Sequence, residues 1–91
     1  MVNTIVIDES AEEDLRGLPS DKIRRQIANA IRMLISDQVP PKRVKHLRGD
    51  FHRIRAGDYR VVYRRVGTMI TVLIVAHRGT VYGQFDRKWP R

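Results

Sequence analysis

The chain contains no cysteine, which excludes both disulfide staples and the thiolate zinc sites that hold many small domains together. That composition suits a reducing compartment. No apolar run approaches the roughly 20 residues that a membrane-spanning helix needs, and the opening Met1-Val2-Asn3-Thr4-Ile5 lacks the basic start and long apolar region of a secretory signal. The expectation is a cytoplasmic protein with no membrane partner. There is no HExxH, no glycine-rich phosphate loop and no Ser/His/Asp signature. The three histidines, His46, His52 and His77, lack a neighbouring cluster of carboxylates, so neither a metal nor another cofactor is expected. Acidic residues are also scarce: ten Asp and Glu stand against eighteen Lys and Arg.

What is present is a concentration of positive charge. Residues 1–40 hold five basic and seven acidic side chains, whereas residues 41–65 hold nine basic and two acidic. The net charge of +8 is therefore gathered into one segment. Clustered Lys and Arg neutralise phosphates and release their condensed counterions, so this asymmetry points to a polyanionic partner rather than to a generally solvated surface.

The 91 residues make one domain, 1–91, with no internal repeat and no linker. Thr4-Ile5-Val6-Ile7 is β-branched and predicts a first strand. Ser10 with Glu13 fits a capping box, predicting a short helix from Ala11 that Gly17 and Pro19 end. Ser20 caps a second helix, from Asp21 to about Ser36. Its Ile23, Ile27, Ala30, Ile31 and Leu34 form a core-facing stripe, while Lys22, Arg25, Asn29 and Arg32 fall largely outside it.

Residues 40–50, Pro-Pro-Lys-Arg-Val-Lys-His-Leu-Arg-Gly-Asp, read as a basic loop anchored by Leu47, leaving Lys42, Arg43, Lys45 and Arg48 in water. Phe51 to Tyr63 reads as a hairpin turning at Ala56-Gly57-Asp58. Met69 to Arg78 is a nearly continuous apolar strand, as expected where both faces are covered. Residues 83–91 are too short and polar to predict a helix. The implied fold class is α+β: an N-terminal strand, a helical hairpin and an antiparallel three-stranded meander, with the helices packed on one face of a twisted sheet.

In the hairpin, Phe51, Arg53 and Arg55 share one face and Ile54 the other, which sets the two guanidiniums about 7 Å apart on one surface. Arg60 and Val62 alternate with Tyr59, Val61 and Tyr63, and the two tyrosines are expected in the core. Such a face suits gripping or cleaving a phosphodiester. Cleavage of RNA without a metal requires a base for the 2′-hydroxyl, a counter-charge for the phosphorane and an acid for the departing 5′-oxygen. Arginine serves the second role well and the first poorly, because its pKa lies above about 12.

The run Arg53-x-Arg55-x-Gly57-Asp58-Tyr59-Arg60-Val61-Val62-Tyr63, preceded by Leu47-Arg48-Gly49 and followed by His77-Arg78-x-x-Val81-Tyr82, resembles the RelE/ParE toxin superfamily. The resemblance spans nearly the whole chain. It implies a RelE-like messenger RNA interferase of a type II toxin–antitoxin system, acting on mRNA in the ribosomal A site and held off by a cognate antitoxin in a heteromeric complex. By position it assigns catalysis to Arg53, Arg55, Arg60, Arg78 and Tyr82. Arg60 and Arg78 would face the phosphorane, and Tyr82 would stack on a base or move a proton. Lys42, Arg43, Lys45, Arg48 and His77 would bind RNA. Arg55 stands where family members often carry a lysine proposed as base, which leaves that role open among His77, His52, Tyr82 and electrostatic assistance alone. His77 and Arg78 are adjacent, so on a regular strand they face opposite ways. The same fold also serves ParE-like inhibitors of DNA gyrase, and a non-catalytic RNA-binding domain is the third reading.

Overall fold

The computed structural model describes residues 2–90. Thr4–Ile7 forms β1 as its β-branched composition predicts. The following helix, α1 (Glu9–Arg16), starts two residues before the predicted Ala11, because Asp8 rather than Ser10 caps it. The Asp8 carboxylate accepts from the Ser10 N–H at 3.2 Å and from the Ser10 hydroxyl at 2.7 Å. A carboxylate matches the positive end of a helix better than a hydroxyl does. The Ser10 hydroxyl bond, followed by the Ser10 N–H bond, holds Asp8 below the ordinary carboxylate range.

Helix α2 (Asp21–Ser36) has the predicted boundaries. Ser20 Oγ accepts from the Ile23 N–H at 3.3 Å, and the helix stops at Asp37, which takes a left-handed φ of 58°.

The segment predicted as a basic loop is instead a 3₁₀ turn, Pro41–Arg43, followed by a strand, β2 (Val44–Arg48). Its residues are poor strand formers, but pairing with the next strand outweighs local propensity. That strand, β3 (Phe51–Ala56), continues through the predicted Gly57-Asp58 turn into β4 (Tyr59–Val66) and then β5 (Met69–His77). The meander thus has four strands rather than three. The sheet order is β1-β5-β4-β3-β2, with β1 parallel to β5 and the remaining pairs antiparallel.

A third helix, α3 (Val81–Lys88), occupies much of the C-terminal segment predicted to be non-helical. So short a helix is unstable alone. It forms because Val81, Phe85 and Trp89 recur at helical spacing and land on the sheet beside Phe51 and Leu47.

The α+β class holds, with α1 and α2 on one face and α3 an addition on the other. Ile54, Val61, Tyr63, Ile70, Val72 and Val75 face α1 and α2. Val62, Ile74 and Ala76 face α3. β5 is therefore covered on both sides, as its apolar run predicts.

The change of face between Val72 and Ile74 comes from a bulge. Val62 pairs with Ile74, yet Tyr63 pairs with Val72, so Leu73 is an extra residue in β5. Helix α1 meets backbone groups beside it. Ser10 Oγ donates to the Leu73 carbonyl at 3.2 Å, and Asp14 Oδ2 accepts from the Val75 N–H at 3.0 Å. Beyond the bulge, Val75 and His77 face the α1–α2 side while Ala76 and Arg78 face the other.

Removing Asp14 strands the Val75 N–H in a covered position. Asp14→Ala is expected to lower unfolding free energy by about 1–3 kcal/mol in urea denaturation, against less than about 0.5 kcal/mol for the exposed Glu13→Ala. Tyr63 supplies an alkaline test, because burial pushes its phenol above the ordinary value of 10.0. The neutral form is favoured in the fold, so this stabilisation is complete below that value and lost as pH rises through the elevated pKa. Tyr63→Phe should flatten the alkaline limb of the stability–pH curve.

Candidate nucleic-acid interface

The arginine-bearing face is assembled by strand register. Arg55 lies opposite Arg60, Arg60 opposite Ala76, and Arg53 opposite Val62 on β4 and Lys45 on β2. Paired side chains on one face stand about 5 Å apart at Cβ. Arg55 thus stands directly across from Arg60 on β3 with Arg53 diagonal to it, and Lys45 lies one strand further out, across from Arg53. The Arg78 N–H bonds to the Asp58 carbonyl at 2.8 Å, so the ladder continues one step past β5 and the bulge parity brings Arg78 to the same side.

Arg60 is the most constrained of these. Its Nη1 donates to the Gly57 and Tyr59 carbonyls, both at 2.9 Å, so the hairpin turn fixes the guanidinium. Burial lowers its pKa from the ordinary guanidinium value, and the charge of Arg53 adds to that; the Tyr82 phenol pulls the other way, and Arg55 lowers it again. Arginine remains charged under such a load. Among the described residues, neither Arg53, Arg55 nor Arg60 has a carboxylate within ion-pair distance. Among the described residues the cluster lacks a carboxylate counter-ion.

The other expected residues differ in their surroundings. Arg53 donates to the Arg43 carbonyl at 3.0 Å, while its Nε is shielded from solvent and has no partner among the described residues. Arg55, Lys42 and Lys45 are exposed. Arg78 is 3.9 Å from the Asp58 carboxylate, both groups being largely exposed, and a pair of that kind is weak.

Two residues expected in water are not fully there. Arg43 is half-buried, with Nη1 3.5 Å from Met33 Sδ. Arg48 is half-buried with its guanidinium 4.9 Å above the Phe85 ring. Both changes follow from β2, which holds this segment against its neighbours.

The histidines lie apart from the arginines. His77 packs edge-on against Tyr59 with ring centroids 5.7 Å apart, and its Nδ1 accepts from the Gly79 N–H at 3.0 Å. His52 stacks on Tyr63 at 5.5 Å and meets His46 at 5.1 Å. Tyr59 and Tyr63 belong to the core or its margin, as expected. Of the candidate bases, Tyr82 is the one beside Arg60. It is 38 % exposed, projecting from α3 rather than closing the core.

An open cleft of roughly 1090 Å³ adjoins the cluster, lined by Arg43, Arg55, Arg60 and Arg78 on one side and by Gln26, Asn29 and Arg32 of α2 on the other. The α2 residues were legible only as a polar helix face. Their spacing away from the apolar stripe was the signal, but nothing local told which surface they would meet. Among the described residues, no three His, Cys, Asp or Glu side chains gather as a metal site requires, and no helix is long and apolar enough to cross a membrane.

Residues 5–82 match the family model described as the ParE toxin of the type II toxin–antitoxin system parDE. The chain belongs to this toxin family, within the RelE/ParE superfamily. Solved structures agree. The RelE–RelB complex of Pyrococcus horikoshii OT3 matches at 29 % identity with a TM-score of 0.73, covering 87 % of this toxin and 98 % of that chain. The RelB–RelE antitoxin–toxin complex of Methanococcus jannaschii matches at 25 % identity and 0.69, over 88 % and 98 %. A mutant of the E. coli toxin RelE in the free state shares the fold at 23 % identity and a TM-score of 0.73, over 98 % and 99 %. A search of curated proteins gave no match. The toxin is of the RelE type in architecture, as the resemblance implied.

The turn that fixes Arg60 depends on Gly57. Its φ is +63°, and a Cβ there would lie 2.5 Å from Gln26 Oε1. Gly67 has a φ of +60° with open space around it. Both alanine variants carry backbone strain of about 1–3 kcal/mol, so thermal unfolding should show Gly57→Ala as the more destabilised, by the additional displacement of Gln26.

Proposed function

We propose that this toxin is a metal-independent endoribonuclease that cleaves mRNA, in the ribosomal A site, and so inhibits translation in the cytoplasm. The observation that carries the reading is the guanidinium cluster Arg53, Arg55 and Arg60, without a carboxylate partner among the described residues and with Tyr82 at its side. RNA brings its own nucleophile. The 2′-oxygen attacks the adjacent phosphorus and loses its proton, and the P–O5′ bond breaks. A 2′,3′-cyclic phosphate and a protonated 5′-hydroxyl result.

The protein's part is charge and position. Arg60, held by the turn carbonyls, and Arg53 face the phosphorane oxygens, with Arg78 closing from the end of β5. Arg55 is exposed and binds the flanking backbone, as do the exposed Lys42 and Lys45, while the half-buried Arg43 and Arg48 add positive charge beside that track. His77, on the far side of the turn, meets RNA only at the periphery of this track. Tyr82 protonates the departing 5′-oxygen or stacks on a base. Removal of the 2′-proton falls to Tyr82 or to solvent under the electrostatic pull of the cluster, since His52 and His77 point elsewhere.

The partner that silences the toxin is a cognate antitoxin, which lays acidic residues over the same cations. The matched structures from P. horikoshii and M. jannaschii are complexes of RelE with RelB. A second reading, inhibition of DNA gyrase by binding, is favoured by the description of the matched family as ParE.

Primer extension on a message translated in a cell-free system separates them. The nuclease reading expects discrete translation-dependent ends within the frame, reduced at least about 100-fold in Arg60→Ala. Tyr82→Phe should lose about 100-fold if the phenol transfers a proton and far less if it stacks. An intact message together with inhibited gyrase supercoiling would install the second reading instead.

A further inference from the structure

A smaller cavity of roughly 290 Å³ lies between α3 and β2, lined by Lys45, Leu47, Arg48, Tyr82, Phe85 and Asp86. It adjoins the arginine cluster through Lys45, which lines it and pairs with Arg53 across β2 and β3. Its size is at the lower end of small-ligand sites, about 300 Å³, which suits one base rather than a length of chain.

The walls supply two kinds of contact for a flat ring. Tyr82 is exposed and offers its ring, and Asp86 beside it offers a carboxylate acceptor, while the Arg48 guanidinium, 4.9 Å over Phe85, has its Nε and Nη2 shielded from solvent. Bases of single-stranded RNA are held by stacking on aromatic rings and guanidinium planes.

Asp86 is the unexpected member. A carboxylate on a face that binds phosphates weakens affinity for every RNA by like-charge repulsion. Among the described residues it has no basic group within ion-pair distance. Tyr82 and Asp86 are four apart on α3, so ring and carboxylate flank one opening.

An ionised carboxylate only accepts hydrogen bonds, and it accepts two in parallel best. On the Watson–Crick edge, guanine alone presents two adjacent donors, N1–H and N2–H. Adenine and cytosine place one donor next to an acceptor, and uracil places one donor between two carbonyls. The geometry points to this cavity as a guanine-reading pocket, in which Asp86 accepts from N1–H and N2–H of the base attached to the phosphate that Arg60 grips. This rests on the reading of the face as an RNA site.

The test uses uncleavable 2′-O-methyl pentanucleotides of uridine whose central base is G, A, C or U, titrated against the full chain by fluorescence anisotropy. The wild-type toxin should bind the G oligonucleotide about tenfold more tightly than the others. Asp86→Asn should abolish that advantage while tightening binding of the A, C and U oligonucleotides, because the repulsion is gone. Asp86→Glu should keep a reduced preference.

Equal or undetectable binding of all four by wild type, or a uniform shift of all four in Asp86→Asn, would overturn the pocket. A guanine preference lost in Asp86→Asn in a toxin that leaves translated messages whole would retain the pocket and remove the nuclease reading. Cleavage without any dependence on guanine that Asp86→Asn alters would do the reverse.

Discussion

The position of Leu73 governs which side chains reach the cationic face. A regular β5 would carry Ile70, Val72, Ile74, Ala76 and Arg78 on one side. With the extra residue, Val75 and His77 take over the side covered by α1 and α2, and Arg78 moves to the arginines. The displaced backbone is held by α1 through Ser10 and Asp14, and Ser10 also receives Lys88 Nζ at 2.8 Å. A single hydroxyl therefore touches the helix cap, the bulge and the far end of α3. The register error, if it is regarded as one, is stabilised by side chains placed for it.

The face so assembled is energetically unfavourable by itself. Arg53, Arg55, Arg60 and Lys45 stand at cross-strand spacing with like charges facing one another, an arrangement that destabilises a sheet. The hydrophobic layers on both sides offset it: Ile54, Val61 and Val62 are fully buried directly between the charged positions. Alternation sends Ile54 and Val61 to the side covered by α1 and α2, whereas Val62 shares the arginine-bearing face and is covered there by α3. Two ion pairs of the hairpin, Arg65 with Asp37 at 3.1 Å and Arg64 with Asp50 at 3.7 Å, lie at the end away from the cluster, and the exposed Arg78–Asp58 pair at the turn is longer, at 3.9 Å. Hydrogen bonding from Arg65, then its charge, keeps Asp37 below the ordinary carboxylate range.

Much of this was legible in the residues. The β-branched run at Thr4–Ile7, Ser20 ahead of α2, and Gly57 between two alternating stretches each carry a local signal that tertiary packing agrees with. The face shared by Arg53 and Arg55 follows from strand parity alone. What failed were the elements formed by long-range contact. Val44–Arg48 has the composition of a solvated loop and is a strand only because β3 pairs with it, and Val81–Lys88 is a helix only because Phe85 and Trp89 meet Phe51. Ser10 read as a cap because the better acceptor, the Asp8 carboxylate, takes that place only where the chain turns. Arg78 was correctly set opposite to His77, but the face each would take rested on a bulge that no local pattern announces.

The edge strand has a consequence for the order of events in folding. β1 pairs with β5 across a span from Thr4 opposite Met69 to Ile7 opposite Val72, and α1 bonds to the same late strand at Leu73 and Val75. The first sixteen residues therefore have no sheet to join until nearly all of the chain has been synthesised. Closing so long a loop before any contact rewards it slows folding. The hairpin bearing the arginines can pair earlier, yet Arg78 joins them only with the last strand. The cationic cluster is thus completed late in the emergence of the polypeptide, and the nascent chain is electrostatically incomplete for most of its synthesis.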